Sequence, residues 1–481
     1  MSRPSPNWPH RFPQCYVWPA RSCYLCLAAW LLLLAACAPS PAAAPTPATP
    51  RQPVAGGPTL LRDDITLRRV GTAGAGSIRL ARSPIDGTVY VLNGGRGLLR
   101  LDLERGATAP VASVAEITGG AAPTGMAFGP DGALYVVGNQ VRGTTNTAVV
   151  RRGTPTDAGF TWATLAETEP YPLSGTQFDH LFNGVVVSPD GAWVYVNSGS
   201  RTDHGEVQTN GGAFPEAREV PLTAAIFRLP AGGSGLTLPN DAAALEAAGY
   251  VMARGTRNAY DLAFAPNGEL FAVDNGPDAD LPDELNWIRE GLHYGFPWRF
   301  GTTDNPQQFP GYNPAEDRRL HPDFFAVSAG LYRDDPTFPP APAAMADPVA
   351  NRGPAAAIYR GDDGSERDAA AEGEPLHTFT PHRSPLGLLF VDDAALPADL
   401  RGRPEALSAL VLSWGAAGGT LSDTGQDLLH LTLTRRGENY EARTTRIAHG
   451  FGHPIDALLI DNRLYVLEFD GESVIWELRF G

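Results

Sequence analysis

The strongest constraint on how this chain folds is a phrase that returns along it: an Asp-Gly or Asn-Gly pair just after a Pro or Ile, followed by an alternating apolar run. It reads SPIDGTVYVLN at 83–93, GPDGALYVVGN at 129–139, SPDGAWVYVNSG at 188–199 and APNGELFAVDNG at 265–276. LLIDNRLYVLEFD at 458–470 is a fifth copy, and LGLLFVDDAALP with SALVLSW, within 386–414, a weaker sixth. Asp-Gly or Asn-Gly between alternating apolar runs marks a hairpin, because both turn residues are asked for positive φ. A second β-like run follows most copies, as in GLLRLDLE, TAVVRRG, AAIFRLP, DLLHLTL and SVIWELRF. Strand pairs repeating at this period, with NDAAALEAAGY the one helical pattern, predict an all-β fold, a six-bladed β-propeller over 59–481 with long inter-strand loops. Seven blades or paired sandwiches fit the count less well. The last run is expected to close the ring against an early strand near residues 65–80, leaving only short, protected edges.

The 481 residues carry a formal charge of −16, and every basic side chain is arginine. A lysine Schiff base and a P-loop lysine are therefore excluded. Acidity without a basic stripe argues against a nucleic-acid partner. All four cysteines, Cys15, Cys23, Cys26 and Cys37, fall in the first 37 residues, so the remainder has neither a disulfide framework nor a cysteine metal site. Arg11 and Arg21 precede CLAAWLLLLAAC, too short for a comfortable span and suited to a secretory apolar region. Its end, Leu34-Ala35-Ala36-Cys37, resembles the lipobox of bacterial lipoproteins. That resemblance implies a signal peptide over 1–36, lipidation at Cys37, a Pro/Ala-rich tether over 37–58, and an extracytoplasmic domain anchored to the membrane by lipid alone, on the cell surface or periplasmic side. An ordinary secretory signal or an uncleaved anchor is the alternative.

Residues 271–288, FAVDNGPDADLPDELNWI, set Asp274, Asp278, Asp280, Asp283 and Glu284 around a Gly-Pro step. Calcium takes about six to eight oxygen ligands, and such a turn offers carboxylates and carbonyls, although the spacing is not that of an EF-hand. A solvated acidic loop is the competing reading. Histidine before a strand, as at His180, is by itself more often packing than catalysis.

The order Arg257-Asn258, an Asn-Gly hairpin, Gly276-Pro277, Asp283-Glu284-Leu285-Asn286 and Tyr294-Gly295-Phe296-Pro297-Trp298 resembles the glucose/sorbosone dehydrogenases, the soluble quinoprotein sugar dehydrogenases. The resemblance is strong over 257–304, moderate over 175–200 and diffuse elsewhere, where it rests on blade rhythm and on PHRSPLGLLF at 381–390. It implies a six-bladed propeller carrying pyrroloquinoline quinone (PQQ) and calcium. On it, Arg257 and Asn258 line the quinone and substrate pocket, and Gly276 and Pro277 hold the quinone-bound calcium through their carbonyls. Asp283, Glu284, Tyr294 and Asp304 match a neighbouring structural calcium site, while Asp179-His180 matches the family's Asp-His pair with the histidine as general base. The implied reaction takes an aldose or related sugar from its anomeric hydroxyl to the lactone by hydride transfer to the quinone, with electrons leaving to an external acceptor. Asp278 and Asp280 then read as solvated turn, and His204 as a solvated loop residue. The chain departs from the family in having no lysine, in carrying His453 and Ile455 where arginines are expected, and in offering only Trp414 and small residues over 411–419. Arg257, Arg352, His382 and Arg383 are the cations left to meet a tricarboxylate. A cofactor-free, calcium-stabilised binding module and a calcium-dependent lactonase are the other readings a propeller of this kind allows.

Overall fold

The computed structural model describes residues 56–391, 394–416 and 418–481. The expected signal peptide, Cys37 and most of the tether lie outside the described residues. The rest is a six-bladed β-propeller. Blade 1 runs Ser77–Arg82, Val89–Asn93, Gly97–Asp102, Ala107–Ala112, and blade 2 runs Ala122–Phe128, Leu134–Arg142, Thr145–Thr156, Gly159–Thr168. Blade 3 is Phe182–Val187, Trp193–Ser198, Ala225–Pro230 and Val251–Arg254, and blade 4 is Asp261–Phe264, Leu270–Asp274 and Glu284–Ile288. Blade 5 is Pro385–Phe390, Ala406–Ser413, Asp427–Arg436 and Asn439–His449. Blade 6 combines Pro454–Ile460, Arg463–Glu468 and Val474–Phe480 with Ile65–Thr72, which pairs antiparallel with the last strand from Ile65↔Phe480 to Thr72↔Val474. The first strand of each blade packs on the first strand of the next, and the sixth returns to the first. The ring is thus closed by the two ends of the domain, as the sequence predicts.

The repeated phrase makes the hairpin between the first two strands of blades 1 to 4, by a different turn from the one its dipeptide suggests. Only the glycine is left-handed: Gly87, Gly132, Gly191 and Gly268 have φ of 74°, 80°, 71° and 85°. The preceding Asp or Asn instead accepts the N–H two residues on, Asp131 from Ala133 at 3.0 Å and Asp190 from Ala192 at 3.0 Å, while Gly132 and Gly191 close type I-like turns on Gly129 and Ser188. These loops are longer than two residues, so the side chain rather than a second positive φ completes the bend.

The inner blade strands are buried on both faces, which is why they read as near-continuous apolar runs: Leu270–Asp274 is buried throughout, whereas the outer strand Ala107–Ala112 is largely exposed. The core lies between neighbouring blades, as where Phe271, Val273 and Leu285 of blade 4 meet Val411, Leu429 and Leu431 of blade 5. Near the axis the strands crowd. A Cβ on Gly125 in blade 2 would stand 1.9 Å from the carbonyl oxygen of Asn183 in blade 3.

Candidate active site

Two stretches that enter first strands meet at one end of the blades. Before blade 3, the His180 N–H donates to the Ser200 carbonyl at 3.0 Å, and His180 Nδ1 lies 3.2 Å from that oxygen and 3.2 Å from Ser200 Oγ. Before blade 4, the N–H groups of Arg257 and Asn258 donate to the Asp274 carboxylate at 2.9 and 2.5 Å. Ser200 ties the two together, since its N–H donates to the Arg257 carbonyl at 2.6 Å. Gly199 marks the meeting point: a Cβ there would sit 2.4 Å from His180 Cβ, 3.3 Å from Asn258 Oδ1 and 3.4 Å from the Arg257 carbonyl oxygen. Asn258 continues the chain of contacts, accepting from Asn183 at 2.8 Å and donating to Asn275 at 3.0 Å. Asn275 leads directly into Gly276-Pro277.

A carbonyl and a hydroxyl oxygen beside Nδ1 favour its N–H tautomer and leave the Nε2 lone pair for a substrate. Burial, and then the Arg257 charge, push the imidazole down to about 3, so it is neutral at ordinary pH. Asp179 does not orient this ring. Its carboxylate accepts the N–H groups of Ser174 at 2.7 Å and Gly175 at 2.9 Å and holds the preceding turn.

Arg257 is buried and held by a residue to which the sequence assigns no role. Asp203 accepts Arg257 Nε at its carbonyl and Nη2 at Oδ1, both at 2.8 Å. Its carboxylate also takes the Asp278 N–H at 3.0 Å and the Tyr332 hydroxyl at 3.2 Å. The neighbouring His204 is completely buried, 2.8 Å from Asp203 Oδ2 and stacked on Tyr332 with ring centroids 3.7 Å apart, and so is not the solvated loop residue expected. Asp280 corrects the sequence reading too: it is buried, accepting from His382 at 2.9 Å and Arg360 at 2.8 Å. Asp278 is half-buried, its Oδ2 accepting the Ala326 N–H at 2.9 Å. An acidic turn stays dry here because arginines and N–H groups from three distant loops converge on it.

The four residues matched to a structural calcium are placed unequally. Asp283 is spent on the turn, accepting Gly276 N–H at 2.7 Å and Ser384 N–H at 2.8 Å. Tyr294 is buried, its hydroxyl donating to the Trp287 carbonyl at 2.6 Å. Asp304 is exposed, across a short hairpin from Arg299. Glu284 faces a small cavity with Asp274, Gly276 and Arg299, and it pairs across the strands with Asp274. Burial raises Asp274 to about 7; burial and then the Asp274 charge raise Glu284 to about 8. These two buried carboxylates repel one another, and each oxygen already accepts one hydrogen bond, Asp274 from the Arg257 and Asn258 N–H groups and Glu284 from Asn286 Nδ2 at 2.8 Å and the Gly301 N–H at 2.6 Å. Their remaining lone pairs, with carbonyls of Leu281 and Pro282 beside Gly276, are what a hard divalent cation would meet. Among the described residues no group of three or more His, Cys, Asp or Glu side chains is arranged as a metal centre, so carbonyls have to complete the shell.

The carboxylates of PQQ are less well provided for. Arg383 is clamped by Asp423 and Asp427, His382 by Asp280, His453 by Asp470 at 2.8 Å, and Arg352 by Glu441 at 2.9 Å. Arg257 keeps one edge lightly engaged, its Nη1 lying 3.3 Å from the Asn275 carbonyl. The residues present fit a quinone held at its metal end and at Arg257.

A neutral histidine, a fixed arginine and an acidic cavity thus converge at the entrances of blades 3 and 4. The glucose/sorbosone dehydrogenase family model matches residues 108–324, a span that contains Asp179, His180, Arg257, Asn258, Gly276 and Pro277, so the resemblance seen in the sequence holds there. A segment of 72 residues is 35% identical to quinoprotein glucose dehydrogenase B of Acinetobacter calcoaceticus, covering 15% of each chain. The fold is shared with the soluble aldose sugar dehydrogenase of Escherichia coli in its apo form, at a TM-score of 0.54 and 15% identity over 87% of this chain and 100% of that one. It is shared likewise with the PQQ domain of pyranose dehydrogenase from Coprinopsis cinerea, at 0.52 and 13% identity over 88% and 97%.

Proposed function

We propose that this chain oxidises an aldose or related sugar at its anomeric hydroxyl, giving the lactone, with PQQ and calcium as cofactors. The observation that carries the reading is the meeting of His180, Arg257 and Asn258 around Gly199 and Ser200, next to Gly276-Pro277. His180 accepts the hydroxyl proton at Nε2, its Nδ1–H held on Ser200. Because burial and Arg257 keep the ring neutral, the accepting lone pair is present throughout the physiological range. Arg257, immobilised on Asp203, would present its lightly engaged Nη1 edge to substrate or cofactor oxygens, with the Asn258 amide beside it. Gly276 and Pro277 would hold calcium through their carbonyls, and Asp274 and Glu284 a second ion. When bound, PQQ supplies the two-electron acceptor and calcium the charge that polarises it. An external acceptor then removes the electrons, consistent with an extracytoplasmic domain lipidated at Cys37.

The test adds PQQ and calcium to purified apoprotein and follows dye reduction with a panel of aldoses, beside His180→Ala. Turnover that needs both cofactors and is lost in the variant is expected; failure to bind PQQ at micromolar concentration defeats the proposal. Lipid labelling of wild type and Cys37→Ser tests the anchor.

A further inference from the structure

Residues 319–332 cross the same end of the blades and are pinned at four points. Asp280 N–H donates to the Arg319 carbonyl at 2.8 Å, Ala326 N–H to Asp278 Oδ2 at 2.9 Å, and the Tyr332 hydroxyl to Asp203 at 3.2 Å. The fourth pin is the Phe324 ring, buried 4.2 Å from His382 and against Gly418 and Gly419. Between these pins the short helix Phe325–Ser328 turns its first side chain outward. Phe325 is 42% exposed, although Phe324 and Ala326 on either side are 6% and 0% exposed. Its ring does not stand alone: it lies 5.7 Å from that of Phe178, tilted by 51°. Phe178 is two residues from His180, and the Arg257 guanidinium lies 5.9 Å from its ring centroid. Phe178, itself buried, thus backs the exposed Phe325 ring at the rim and links it to the neighbourhood of the proton acceptor and the fixed arginine.

A pyranose presents hydroxyls around its edge and a patch of C–H groups on its face. Polar groups at one side and an aromatic surface at the other match both. We propose that Phe325, backed by Phe178, is the wall on which the sugar ring lies, so that one ring edge faces His180 and Arg257. The proposal rests on the sugar-oxidising reading of this site and adds a specificity-determining residue to it. A pyranose or a terminal sugar of an oligosaccharide gains from the wall, whereas an acyclic polyol gains little.

The experiment titrates D-glucose, D-galactose, maltose and, as the acyclic control, erythritol into the full chain by saturation-transfer NMR, without and with PQQ and calcium. Wild type is compared with Phe325→Ala and Phe325→Trp. Phe325→Ala is expected to weaken binding of the cyclic sugars about tenfold, with KM rising in step and kcat within about twofold, and Phe325→Trp to restore binding. Because the ring is already partly in water, the melting temperature of Phe325→Ala should stay at the wild-type value. Should that variant fold poorly, Phe325→Ser and Phe325→Tyr provide the same contrast. Unchanged sugar affinity in Phe325→Ala overturns the wall. Wild type that binds cyclic sugars through Phe325 but reduces no dye keeps the wall and removes the dehydrogenase reading. Turnover with a KM indifferent to Phe325 does the reverse, and protein that neither binds nor oxidises any sugar overturns both.

Discussion

In the proposed reaction His180 would accept a proton where burial and a neighbouring arginine both disfavour its cation, so its basicity depends on what Arg257 faces. With Arg257 paired to Asp203 and within the field of Asp278 and Asp274, burial and the remaining arginine charge hold the imidazole at about 3. An anionic group on the free edge of Arg257 would offset the second cause and raise it. The acid limb of kcat/KM is accordingly expected well below the ordinary histidine value near 6.5, and a limb at or above about 6.5 in the free enzyme would contradict this electrostatic account. His180→Ala should lower kcat by about a hundredfold or more while sugar binding persists, which is read by pairing turnover with NMR titration. Asp203→Ala removes the partner of a buried guanidinium and should cost about 3–5 kcal/mol, seen as a lowered urea midpoint. Arg257 and His180 were legible through their resemblance to a family, but Asp203 was not: it stands 54 positions from Arg257, in a loop whose polar residues read as solvated.

At the scale of strands and turns, the hairpins were legible and their geometry was not. Asp-Gly and Asn-Gly marked the first hairpin of each of blades 1 to 4, yet the Asp or Asn works through its side chain and only the glycine takes positive φ. A dipeptide reports that the chain reverses; the length of the loop, set by how the strands pair, selects the turn. Nor does a single strand reveal how closely its neighbour in the next blade approaches. Gly125→Ala should push the first strands of blades 2 and 3 apart and cost about 1–3 kcal/mol, whereas Gly232→Ala, with nothing within 4 Å and no positive φ, should be close to neutral. Equal melting temperatures for the two variants would show that the ring relaxes around the added methyl group.

Across the whole molecule, the ring draws acids out of water. Arg79 of blade 1 reaches the Tyr260 carbonyl at the entrance of blade 4 at 2.8 Å, with Asp261 3.7 Å away, and Asp456 of blade 6 accepts the Leu80 N–H at 2.6 Å. Burial is the first cause that raises Asp456 to about 7, Asp278 to about 6, Asp274 to about 7 and Glu284 to about 8. An acid whose folded pKa lies above its unfolded value is held more tightly as the neutral form in the fold, so its contribution is full below about pH 4 and is lost as pH rises through the folded value. His180, His293 and His430, held neutral by burial, work in the opposite sense below about pH 6.5, so the net loss of stability in the metal-free protein is expected between about pH 6.5 and 8. Calcium should restore it most at the alkaline end, and Glu284→Gln should blunt that rescue; melting curves at several pH values with calcium or chelator decide this, and a calcium effect independent of Glu284 would remove the cavity as its site. The sequence by itself determined the number of blades and the closure of the ring, because hairpin signals and apolar runs are local, repeat along the chain, and end in a strand that needs a partner. Only the tertiary structure decided that Asp203 grips Arg257, that Asp280 is buried in ion pairs, and that Asp274 joins Glu284. Burial and charge pairing depend on what other loops bring to a point in space, and no spacing along the chain records that.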